Sequence, residues 1–130
     1  MFIGSFPLEM REKFLELVYK LAHVDGEYAE EEAELVRSYQ VELGIEYIKE
    51  TGDIEELVDF FAAQDETARK ICLFELLGVV KADGVVSAEE TELIDKVQSA
   101  FGLTRETVQT IGDLVEELQN VYDKIYQVLF

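Results

Sequence analysis

The stretch that decides the fold is LAHVDGEYAEEEAELVRSYQVELGI, residues 21–45. An apolar run reaches Asp25-Gly26, the chain turns, and an acidic segment with helical spacing follows as far as Gly44. Glycine takes the left-handed backbone conformation that other residues avoid, so each of these glycines marks a helix end. The design returns at residues 79–103, VVKADGVVSAEETELIDKVQSAFGL, at a constant offset of 58, as from Asp25 to Asp83. Eight of the 25 aligned positions are identical. Composition alone would give about two, so the pattern is read as an internal repeat.

Outward from the first turn, Phe14, Leu17, Leu21 and Val24 form an apolar stripe that predicts a helix from near Pro7 to about Val24. Ala33, Val36, Tyr39 and Leu43 give the helix after the turn its buried face. A short helical turn is expected at 45–51, and then a helix over 54–63 capped by Asp53. Asp65 caps the next helix, about 66–82, whose run ICLFELLGVV is apolar on every face except at Glu75. Such a helix usually lies at the centre of a domain. Ser87-Ala-Glu-Glu90 reads as a capping box opening a helix over 88–101. Thr104 caps the last helical region, 105–130, in which Gly112 is the expected weak point. The expected fold class is all-α and multihelical: one domain over 1–130, built from two three-helix repeats (about 8–63 and 65–130) around two central helices.

Composition limits the functions available. The chain has 130 residues, 29 acids against 11 bases and a net charge of −18. Binding to a nucleic-acid backbone needs clustered Lys and Arg, so no nucleic-acid partner is expected. The charge also opposes an anionic membrane surface, and no apolar run is long enough to span a bilayer, so no membrane insertion is expected. Cations and basic protein surfaces are the favoured partners. A single cysteine, Cys72, rules out an intrachain disulfide and fits a reducing, cytoplasmic setting. The first ten residues, MFIGSFPLEM, do not have the pattern of a secretory signal.

The segments AHVDGEYAEEE and KADGVVSAEETE, each following an apolar helix, make the chain resemble the TerB-like family, over about residues 14–103. That family includes the tellurite-resistance protein TerB and the N-terminal region of a co-chaperone. The resemblance implies an all-helical fold of two three-helix repeats, an acidic surface, a role linked to stress or tellurite resistance, and binding of a cation or protein partner.

Asp25, Gly26 and Glu32 fall where the second half of a calcium loop has its Asp, Gly and final Glu, and Asp83, Gly84 and Glu90 do the same. The loop's first ligand positions hold Leu21 and His23 in one copy and Val79 and Lys81 in the other. Each turn alone is therefore a helix stop followed by acids at the positive end of the next helix. Two such turns brought together would supply carboxylates from both halves. The candidate metal residues are Asp25, Glu31, Glu32, Asp83, Glu89 and Glu90, holding calcium or magnesium weakly; no other cofactor is expected.

Two further residues are candidates. His23 aligns with Lys81 in the last turn of a central helix, where a cation complements the helix end. Glu75 sits on a nearly all-apolar helix and must pair, with Arg69 or Lys81 in reach along the helix, or lie on an exposed stripe. Cys72, in an apolar run, reads as an inert thiol. No phosphate loop, HExxH, CxxC or G-x-S-x-G occurs. The expected function is a non-enzymatic acidic interaction or scaffold module. The alternative is a metal-dependent or carboxylate-based enzyme with its site between the two Asp-Gly turns. Leu114, Leu118, Val121, Ile125 and Val128, spaced 4-3-4-3, are the expected surface for a homodimer through 114–128.

Overall fold

Four helices of this chain begin where a short polar side chain accepts one of the first free backbone N–H groups. Oδ1 of Asp53 accepts from Glu56 N at 2.8 Å, Oδ1 of Asp65 from Ala68 N at 2.8 Å, Oγ of Ser87 from Glu90 N at 3.1 Å and Oγ1 of Thr104 from Thr107 N at 3.1 Å. At Asp53 and Ser87 the glutamate three residues on reaches back to the cap's own N–H, which completes a capping box. Each such cap stabilises its helix by about 1 kcal/mol.

The computed structural model describes residues 1–24, 30–81 and 86–130. These form six α-helices and no strand: α1 (Leu8–Ala22), α2 (Glu30–Leu43), α3 (Ile54–Ala62), α4 (Glu66–Lys81), α5 (Ala88–Phe101) and α6 (Arg105–Leu129), preceded by a short 3-10 turn at Ile3–Ser5. The Asp-Gly turns fall at 25–29 and 82–85, outside the described residues.

α1 packs on α2, α3 and α4, and α4 packs on α1, α3, α5 and α6. α1 and α4 thus pack on each other, and α3 packs on both as well as on α5. Phe14, Leu15, Leu17, Val18 and Leu21 of α1 meet Cys72, Leu73 and Leu76 of α4 in one core, with Leu43, Leu57, Phe61, Val97 and Phe101 closing around them. Each fully buried large side chain there contributes about 1.5–3 kcal/mol. α4 is less enclosed than its sequence predicts: Ile71, Phe74 and Val79 are only partly buried and line surface concavities.

The offset of 58 recurs in three dimensions. Gly44 and Gly102, the glycines closing α2 and α5, have φ of 70° and 61°. At the first of these, Ile45 N donates to Gln40 O at 2.9 Å and Gly44 N to Val41 O at 3.3 Å, which satisfies the last free carbonyls of α2. Arg11 Nε donates to Phe6 O at 3.0 Å and its Nη1 to Leu43 O at 2.9 Å. Arg69 Nε donates to Gln64 O at 3.2 Å and its Nη1 to Phe101 O. Arginine, last residue of the acidic helix and upstream carbonyl all correspond at the same spacing. In each half one guanidinium thus ties the start of a central helix to the end of the helix that follows the Asp-Gly turn.

Two local expectations are corrected. Residues 45–51 form no helical turn. The buried Glu16 carboxylate of α1 instead gathers that connection, accepting from Thr51 N at 2.8 Å, Thr51 Oγ1 at 2.7 Å and Gly52 N at 3.1 Å. Donors used in this way are unavailable to a local helix. α6 runs unbroken through Gly112 for 25 residues.

Candidate functional site

α2 and α5 each follow an Asp-Gly pair in the sequence and carry acids in their first turns. These acids complement the positive helix end. The packing of α1 against α4 brings the two starts toward one cavity of about 440 Å³. Its floor is Leu21, Ala22, Leu35 and Val79, and its acidic lining is Glu31, Glu32 and Glu34 from α2 with Glu90 from α5. Of the sequence-predicted residues, Glu31, Glu32 and Glu90 are therefore brought together. Glu89 is exposed and lies outside this lining. Asp25 and Asp83 lie outside the described residues. The Oε1 atom of Glu90 accepts from Ser87 N at 3.1 Å, so part of its carboxylate serves the cap of α5. Among the described residues, no three carboxylate, imidazole or thiol groups converge closely enough to hold a metal ion.

The cavity continues, past the shared residues Leu35, Ser38 and Val79, into a groove of about 790 Å³ between α2 and α6 with α4 as its floor. Glu75 lies in that floor and is buried. Its expected partners, Arg69 and Lys81, are not the ones it has. Oε2 accepts from the Tyr39 hydroxyl at 3.0 Å, and Oε1 accepts from Phe2 N at 2.9 Å and faces the Met1 ammonium at 3.0 Å. Both oxygens are thus engaged, and the carboxylate acts as a tie between α4, α2 and the start of the chain. Burial, and then the Glu75 charge, push the Tyr39 phenol far above its ordinary range, so it stays a donor. Burial also works against charge on the Met1 ammonium, but its bonds to Glu42 and Glu75 outweigh that and raise its pKa.

The groove exists because the two halves differ at a few positions. On one side of the molecule α3 packs directly on α5. The corresponding side would need α6 to press on α2 in the same way. At the offset of 58, however, the fully buried Phe61 of α3 is replaced by Gln119 of α6, and Leu57 by the smaller Val115. Gln119 and Val115 both line the groove.

His23 caps α1, its Nδ1–H donating to Tyr19 O at 2.7 Å with its ring 4.3 Å from that of Tyr19. It lines a separate concavity with Tyr19 and Asp53, not the acidic cavity. Cys72 is fully buried, and burial together with the Glu75 charge holds its thiol protonated. Sequence reading missed Glu16, Tyr39 as a polar partner, and the arginine pair. Only the last had a visible signal, since Arg11 and Arg69 stand at the offset of the repeat.

Fold and cavity together define an all-helical chain in which the starts of α2 and α5 line one acidic cavity. The chain belongs to the tellurite resistance protein TerB family, whose model matches residues 41–113. The matched residues run from within α2 to within α6 and contain the second Asp-Gly turn. Searches of curated proteins and of solved structures find no match. Among the described residues no helix is long and apolar enough to cross a membrane.

Proposed function

We propose that this TerB-family chain is an interaction module whose acidic cavity receives a divalent cation or a basic group of a protein partner, in the cytoplasm and in a stress or tellurite-resistance setting. The observation that carries the reading is that Glu31 and Glu32 from one half and Glu90 from the other line one cavity over an apolar floor. Carboxylates drawn from two helices can share a cation that neither turn could hold alone. The described carboxylates fall short of a full set, so Asp25 and Asp83 are the residues proposed to complete it. Loss of the early ligand positions of a calcium loop keeps the affinity weak. The enzyme alternative has less support: the Cys72 thiol is held protonated and both oxygens of Glu75 are engaged by donors.

The test is a calcium or magnesium titration followed by NMR in about 150 mM salt, which screens the diffuse attraction of a −18 chain. Saturable shifts centred on the starts of α2 and α5, lost in the Asp25→Asn/Asp83→Asn double variant, are expected. Shifts spread over every acidic helix without saturation would remove the cation reading.

A further inference from the structure

α6 outruns the body it packs on. Val115 is its one buried side chain, and every residue from 120 to 130 is exposed. At 100° per residue, Leu114, Val121, Ile125 and Val128 lie on one side, about 80–140° from the face Val115 presents to the core. The body therefore cannot cover them, and all four are exposed. An apolar face of this length on an isolated helix end is an interaction surface.

The charge on the segment says what kind of surface covers it. In a chain of net charge −18, the stretch 111–128 holds Asp113, Glu116, Glu117, Asp123 and Lys124, and of these only Glu117 and Lys124 border the apolar seam. A basic partner would find little here to recognise, whereas a second copy meets little repulsion. Ile111, Leu114, Leu118, Val121, Ile125 and Val128 occupy alternating three- and four-residue steps, the spacing of a two-helix seam. Glu117 and Lys124 flank that seam on the side away from the body.

We propose that two copies of this chain associate through α6 in antiparallel, two-fold fashion. In the register that centres the exposed stripe, Leu118 faces the partner's Val121 and Leu114 faces the partner's Ile125. Glu117 then meets the partner's Lys124, and by symmetry Lys124 meets the partner's Glu117. A parallel pairing would set these two residues against Tyr122 and Leu129 instead. The same register places Val128 opposite the partner's Ile111. Ile111 borders an open apolar concavity of about 470 Å³, lined also by Phe2, Ile71, Phe74 and Thr107. The exposed Leu129 and Phe130 at the end of one α6 thus arrive at a concavity on the other copy that can take an aromatic side chain. An isologous arrangement of this kind closes on itself and leaves no open end for further growth.

The test is sedimentation velocity on the full chain at about 100 µM, a concentration suited to an interface near the lower limit of stable size. The unmodified chain is expected as a dimer. Lys124→Glu and Glu117→Lys each set like charges together twice per dimer and should weaken association about tenfold or more. The double variant Glu117→Lys/Lys124→Glu restores both pairs and should restore the dimer. Both residues are exposed, and circular dichroism confirms that each variant keeps its helices. A chain that stays monomeric at this concentration overturns the proposal. So does an association that the single charge reversals leave unchanged, or one that the double reversal fails to recover.

Discussion

The hydroxyl of Tyr39 donates to Oε2 of Glu75 at 3.0 Å, across the groove floor between α2 and α4. A buried carboxylate keeps its charge at tolerable cost only while such donors surround it. Tyr39→Phe keeps the ring against Phe14 and removes the donor. It is expected to destabilise the fold by about 1–3 kcal/mol, read as a lower urea midpoint with unchanged slope. A midpoint equal to that of the parent would show that the hydroxyl is not a support for Glu75.

Arg11 and Arg69 make the same two kinds of bond in the two halves, so removing either should have a similar effect. Arg11→Met and Arg69→Met keep much of the side-chain bulk and leave Leu43 O or Phe101 O without a guanidinium. Each is expected to lower stability by roughly 1–3 kcal/mol, the range for bonds from charged donors. Chemical denaturation measures this; a large loss for one and none for the other would contradict the equivalence of the two ties.

The Met1 ammonium has its pKa raised above the ordinary 8.0 by Glu42 and Glu75, against the opposing pull of burial. A group whose folded-state pKa is raised contributes its stability fully below the unfolded value and loses it as pH climbs through the folded value. Melting temperature should therefore fall as pH rises above about 8. A chain carrying extra residues ahead of Met1 has no ammonium at that point, and the portion of the fall due to this group should vanish. Identical pH profiles for the two chains would rule the linkage out.

Central helices differ in how much intrusion they tolerate. Leu21 is 1% exposed, whereas Val79 is only partly buried and lines both the acidic cavity and the groove. Leu21→Asp should unfold the protein, since an unpaired buried charge costs several kcal/mol against a total stability of about 5–15 kcal/mol. Val79→Asp can keep its carboxylate hydrated and should still melt cooperatively. The pair, compared by thermal melts and near-ultraviolet dichroism, tests the placement of the groove; equal collapse of both would contradict it.

What could be read from sequence was what is encoded locally. Asp53, Asp65, Ser87 and Thr104 act on N–H groups a few residues away, so their helices start where the sequence places them. The stripes of α1 and α2 follow from helical period alone. The partners of Glu75 could not be read this way, because Tyr39 lies 36 residues off and Phe2 lies 73 residues off. Nothing in a one-helix pattern distinguishes them from Arg69 or Lys81, which the same helix offers. The helical turn expected at 45–51 fails for a related reason: the N–H groups of Thr51 and Gly52 at its end go to Glu16, more than 30 residues earlier. The cavity was half legible. The repeat named Glu31, Glu32 and Glu90, but whether the starts of α2 and α5 share a cavity is decided by packing of α1 on α4, which composition does not state.

The exchange of Phe61 for Gln119 between corresponding positions has a consequence for the molecule as a whole. Two similar halves would ordinarily give an object that looks alike from either side. Here Phe61 is buried in the core on the side where α3 packs on α5, while Gln119 lines the groove between α2 and α6. The protein thus has a back that is finished and a front that is not. On that side the groove opens past Tyr39 and Glu75 and joins the cavity lined by the acids at the starts of α2 and α5. The exchange thus falls on the side where the groove opens, and marks that side as the one a ligand would meet.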